Sequence, residues 1–133
     1  MNKQRVNDWI GPAATALEVA GIAKEGKINS KFRSQISTFG AAVTMGSLKS
    51  AAAFFAKQGG AAVPRERLLT AMYYVINRES KEPNQVFHYI CENDSHYVRE
   101  QFVDAAIALK LAMNLYELVE EDKTNEKPES AVQ

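Results

Sequence analysis

The sequence predicts an all-α protein: a compact bundle of about six helices with a long C-terminal helix. Three observations predict it. Alanine, leucine and other strong helix formers are plentiful. No stretch alternates apolar and polar residues as a half-buried strand does. Glycines, prolines and cap residues divide the chain at intervals that suit short helices.

Each element follows from its residues. In the first, Gly11-Pro12 either kinks the helix or restarts it with Pro12 in the first turn. Trp9, Ala13, Leu17 and Ala20 form its apolar stripe, and Gly26 is the expected end. Ser30 is the expected cap of the second helix, whose stripe Phe32, Ile36, Phe39 and Val43 has spacings of four, three and four. Gly46 ends it, and Ser47 caps a third helix carrying Leu48, Ala51, Ala52 and Phe55. Gly59-Gly60 stops that one. Pro64 suits the first turn of a fourth helix with Leu68, Met72, Val75 and Ile76, and Pro83 starts a short fifth with Val86, Phe87, Ile90 and Cys91.

Asp94 is the expected cap of the last and longest helix, over 95–122, about 42 Å at 1.5 Å per residue. Val98, Phe102, Ala105, Leu109, Ala112, Tyr116 and Val119 make one stripe along it, and Ile107, Leu111, Leu115 and Leu118 a second, nearly opposite. Two stripes imply a central helix packed on both sides, or one side kept for a partner protein. Beyond Asp122 the apolar residues run out. The chain divides into a single helical domain, 1–122, and a disordered acidic tail, 123–133.

A chain of 133 residues fits one domain and buries enough surface to need neither disulfide nor metal. The single cysteine, Cys91, excludes an internal disulfide framework and fits a reducing compartment. No apolar run reaches the roughly 18 residues of a membrane span, and the first residues lack a signal peptide's apolar core. The expectation is a cytoplasmic protein without membrane partners.

The formal net charge is zero, but its distribution is uneven. Residues 1–60 carry eight basic side chains against three acidic ones, Asp8, Glu18 and Glu25. That half is basic by five charges and the rest acidic by five, so the first half can offer phosphates a local attractive field.

Chemistry beyond that is sparse. His88 and Cys91 lie one helical turn apart, but with His96 and Asp94 they match no zinc ribbon or finger spacing. Cys91 has no flanking signature of a nucleophile, and no phosphate-loop or dinucleotide glycine motif is present. The reading is therefore no enzyme, no catalytic residue, no metal and no cofactor. The informative cluster is basic: Lys24, Lys27, Lys31 and Arg33 lie within ten residues, diluted only by Glu25. Arg33 stands near a helix N-terminus, where the dipole also favours an anion. Such residues neutralise phosphates without reading bases.

Two segments carry a resemblance. The first is Lys31-Phe32-Arg33-Ser34, with Ile36, Phe39, Gly46 and the run Ala51-Ala52-Ala53-Phe54-Phe55-Ala56-Lys57. The second is Asn93-Asp94-Ser95, Arg99 and Asp104-Ala105-Ala106-Ile107-Ala108-Leu109, continuing to Glu121. Together they resemble the small helical subunit of the type III-B CRISPR RNA-guided effector, the Cmr complex, over roughly residues 27–121. Phe32 stands where that family has tyrosine, and Asp104 where it has glutamate.

The resemblance implies a non-catalytic, all-helical subunit. It implies contacts with the large polymerase-like subunit, the backbone subunits and copies of itself, and help in holding guide RNA and target RNA in antiviral defence. Arg33 and Arg99 are its matched basic positions, whereas Lys27 and Lys31 come from the charge pattern alone. These four form the expected RNA-backbone-binding set. The alternative is a helix-turn-helix-like DNA-binding regulator, which requires a recognition helix with exposed Arg, Asn or Gln. The fourth helix offers Arg65, Arg67, Asn77 and Arg78 at its two ends.

Overall fold

A computed structural model describes residues 1–59 and 61–120. Six α-helices dominate: α1 (Lys3–Val19), α2 (Ser30–Met45), α3 (Leu48–Ala56), α4 (Glu66–Asn77), α5 (Pro83–Glu92) and α6 (His96–Ala112). Helix α6 packs against α1, α2 and α4, while α3 bridges α2, α4 and α5. One continuous core results. The expected stripes supply it: Phe32, Ile36, Phe39 and Val43 of α2 are buried, as are Leu48, Ala51, Ala52 and Phe55 of α3. Phe39 and Phe55 meet edge to face with centroids 5.2 Å apart.

The helical reading needs one addition. A small sheet joins β1 (Ala23–Lys24), β2 (Lys27–Asn29) and β3 (Glu117–Val119), in the order β1-β2-β3. The pair β1–β2 is an antiparallel hairpin, and β3 lies parallel to β2 with Ile28 opposite Leu118. Strands of two and three residues are too short to display alternation, so periodicity does not reveal them.

The sheet also corrects the last helix. A continuous helix over 95–122 is not formed. Helix α6 has 17 residues, about 26 Å, and ends at Ala112. A 3₁₀ turn, Met113–Leu115, follows; Tyr116 turns the chain into extended backbone and β3 begins. Pairing with β2 satisfies the backbone that a longer helix would have satisfied internally. The expected tail, 123–133, lies outside the described residues.

Several ends differ by a residue or more from expectation. Ser95, not Asp94, caps α6, its Oγ accepting from the Val98 N–H at 3.2 Å. Asn29, not Ser30, caps α2, accepting from the Lys31 N–H at 2.9 Å. Helix α1 runs through Pro12 without restarting and stops at Val19, well before Gly26. Its actual stop is Gly21, whose φ of 75° is the left-handed conformation glycine adopts at little cost. Ser47 and Pro83 hold the positions expected of them, at the cap of α3 and the first turn of α5.

The two stripes of the last segment have different fates. Val98, Phe102, Ala105, Leu109 and Ala112 are buried. In the second stripe Ile107 is half-buried, while Leu111, Leu115 and Leu118 are exposed, Leu115 by 69%. Among the described residues, no helix is long and apolar enough to cross a membrane.

Candidate nucleic-acid interface

The turn between β1 and β2 organises the basic residues. Glu25 and Gly26 form its two-residue loop, both with positive φ (54° and 76°), as a type I′ hairpin turn requires. That register sets Lys24 directly opposite Lys27. Two like charges across an antiparallel pair are destabilising, by roughly 0.2–1 kcal/mol. The side chain of Ile28, between Lys27 and Asn29, goes to the core, so its two neighbours lie on the outer face of the sheet.

That outer face forms part of a cleft of about 480 Å³. Lys24, Lys27 and Arg67 line it, over a floor that includes Ile22, Phe32 and Val63. Among the described residues, no carboxylate side chain contributes to the lining. Arg67 is held in place: its Nη1 donates to the carbonyl of Gly21 at 2.8 Å. A Cβ at Gly21 would sit 3.2 Å from that nitrogen and press the guanidinium aside by a few tenths of an ångström, while the positive φ of 75° is the stronger reason for glycine there.

Ion pairs among the described residues join the Met1 amino group to Glu100, Arg5 to Asp104, and Lys49 to Asp94. None involves Lys24, Lys27, Lys31 or Arg67. Glu117 neighbours Lys27 in the parallel register but forms no ion pair with it. Three cations around an apolar floor, without an ion-pair partner among the described residues, raise the local potential felt by an anion.

The four expected residues part company here. Lys27 lines the cleft, and Lys31 is exposed two residues beyond Asn29, which also lines it. Arg33 lies elsewhere, on the α2–α6 seam, with Nη1 donating to the Lys110 carbonyl at 3.4 Å and to Asn114 Oδ1 at 3.0 Å. Arg99 reaches the Val43 carbonyl at 3.4 Å, close to the C-terminal end of α2, and its Nε is buried without a partner among the described residues. Both arginines thus spend donors on carbonyls near helix ends, where the dipole favours a cation. Lys24 belongs to the cluster by charge alone, whereas Arg67, 40 positions beyond Lys27, reads in the sequence as a surface residue at a helix end. Its signal is tertiary, because only the fold of α1 against α4 brings Gly21 to it.

The helix-turn-helix alternative finds α4 differently equipped. Arg65 is buried, Arg67 is bonded to Gly21, and Arg78 sits in a left-handed C-cap with Nη1 donating to the Val75 carbonyl. These residues do not make an exposed row along one helix face. Among the described residues, no group of three or more His, Cys, Asp or Glu could hold a metal ion. Comparison of the chain with protein-family models, with curated proteins and with solved structures finds no match.

Proposed function

We propose that this protein is a non-catalytic structural subunit of a type III-B CRISPR ribonucleoprotein effector, helping to hold guide RNA and target RNA by their phosphates. The observation that carries the RNA reading is the cleft of Lys24, Lys27 and Arg67, with two lysines set opposite each other and no carboxylate among the described residues that line it. Two lysines set opposite each other carry a local cost, only partly offset by Glu117 beside Lys27, that an anionic ligand reduces on binding. The resemblance of residues 27–121 supplies the assembly. In this reading the large polymerase-like subunit, the backbone subunits and copies of this chain are its protein partners. The exposed Leu111, Leu115 and Leu118 suit such contacts. RNA cleavage belongs to other subunits.

Two measurements test the proposal. Tagged protein purified from its host should bring down repeat-derived guide RNA together with other effector subunits; recovery of neither removes the assembly reading. In the assembled complex, Lys24→Gln/Lys27→Gln should weaken RNA binding. The slope of log affinity against log salt should fall by about 0.7 for each single-strand phosphate that is no longer neutralised. Superimposable curves, with the variant subunit incorporated, would leave the cleft without a role in RNA binding.

A further inference from the structure

We propose that Phe54 is a stacking platform for an unpaired RNA base, so that the strand held at the cleft is single-stranded where it passes α3. The inference rests on the RNA reading above and narrows its ligand. Phe54 is 52% exposed, although it sits in an apolar helix segment with Phe55 in the core. The Arg65 guanidinium lies over its ring, 4.1 Å from the centroid, and the Phe55 ring meets it edge-on at 5.9 Å. The guanidinium covers one face of the ring and Phe55 holds it from the side, while the residue as a whole stays 52% exposed.

Arg65 supplies the second observation. It is 7% exposed and, among the described residues, makes no ion pair and leaves its buried Nε without a hydrogen-bond partner. A buried guanidinium left so incompletely satisfied favours a ligand that brings negative charge close by. Arg65 does not line the cleft itself, but it stands in the chain between Pro64 and Arg67, which do. A nucleotide carries a π-face for Phe54 and a phosphate for the surrounding cations in one unit. Stacking on an aromatic side chain backed by arginine is a recurrent way of holding single strands without reading their sequence. In a duplex the base faces are already stacked on one another, so Phe54 has nothing to receive there.

The test uses the full chain at low ionic strength, with end-labelled single-stranded RNA and a duplex of the same composition. Phe54→Leu keeps an apolar side chain and removes the π-face; it should weaken single-strand binding roughly tenfold, leave duplex binding unchanged and leave the salt slope intact. Phe54→Trp should retain affinity, and its added indole fluorescence should be quenched by single-stranded RNA. Should Phe54→Leu fail to fold by circular dichroism, quenching in Phe54→Trp decides alone. Equal single-strand affinity for wild type and Phe54→Leu, with Lys24→Gln/Lys27→Gln weakened, would overturn the platform and leave the backbone reading standing. Equal losses on strand and duplex would also overturn it. RNA binding by neither wild type nor variant would remove both readings. If Phe54→Leu changes only which proteins co-purify, the ring is a protein contact and the proposal is wrong.

Discussion

Asp104 has no exposed surface, yet one of its oxygens gathers three donors. Oδ2 accepts from Arg5 Nε at 2.9 Å, Arg5 Nη2 at 2.8 Å and the Asn2 N–H at 3.2 Å. Oδ1 has no partner among the described residues. The pair ties the first turn of α1 to the middle of α6, 99 residues apart in sequence. The Arg5 guanidinium also lies within 5.4 Å of the Trp9 ring centroid and 5.7 Å of that of Tyr97. The two partners are unequal, because Arg5 keeps some contact with water and Asp104 has none. Breaking the pair therefore costs more from one side. Arg5→Ala strands a buried carboxylate and should destabilise by about 3–5 kcal/mol. Asp104→Ala strands a partly hydrated arginine and should cost less, nearer about 2–3 kcal/mol. Urea denaturation of both variants, alongside Arg5→Met/Asp104→Leu, measures this. Equal losses, or a double variant no better than Arg5→Ala, would contradict the unequal-burial argument. No spacing in the sequence relates the two residues, and only the packing of α1 on α6 joins them.

At the scale of elements, what the sequence makes legible is whatever repeats every three or four residues. The buried stripes of α2, α3 and α6, the cap Ser47 and the first-turn Pro83 are patterns that the helix imposes on its own sequence. The sheet imposes no such pattern at two or three residues per strand. Its one local signal is Glu25-Gly26, a two-residue turn between lysines, which also reads as a helix stop. The cap of α6 shows a finer ambiguity, since Asp94 and Ser95 are both good cap residues and only the backbone decides. Ser95→Ala should cost about 1 kcal/mol. Asp94→Ala should cost little, because Asp94 is exposed and its approach to Lys49 is long at 3.8 Å. Thermal melts of the two variants distinguish the caps, and a larger loss from Asp94→Ala would reverse the assignment. The strap formed by the 3₁₀ turn and β3 is pinned by Tyr116, whose single hydroxyl proton is shared between the Ala14 carbonyl at 3.0 Å and Glu18 Oε2 at 3.1 Å. Burial, then its hydrogen bond to Glu18, raises the Tyr116 pKa. A group whose folded pKa is raised contributes stability that is full below its unfolded pKa, about 10 for tyrosine, and that is lost as pH rises through the folded value. Stability should thus fall above about pH 10, and Tyr116→Phe should show a shallower fall there. Parallel pH profiles for the two proteins would mean that Tyr116 does not report on the strap.

For the molecule as a whole, the charge asymmetry read from composition acquires a location. The basic half folds so that Lys24 and Lys27 share one end of a hairpin, while Arg67 joins them from the other half of the chain. The Lys24–Lys27 register is expected to cost the free protein a little stability. Lys24→Glu isolates that cost, because it turns a like-charge cross-strand pair into an opposite one without touching the core or the Arg67–Gly21 bond. The gain should be about 0.2–1 kcal/mol. In a chain of this size that is roughly 1–4 °C in melting temperature. Screening should shrink the difference, since the exposed charges lie within a Debye length, about 10 Å at 0.1 M salt and about 3 Å at 1 M. The same substitution should weaken RNA binding, because it removes one cation from the cleft and places a carboxylate there. The prediction is therefore a pair of opposite changes in one variant: a higher melting temperature at low salt, converging on wild type at 1 M, and a lower affinity for RNA. Melting curves across a salt series and a binding titration at matched ionic strength check the two arms. A Lys24→Glu protein that melts below wild type at low salt would show that the hairpin charges are already balanced in the free protein, and the cleft would then lose the uncompensated potential on which its reading as an anion site depends.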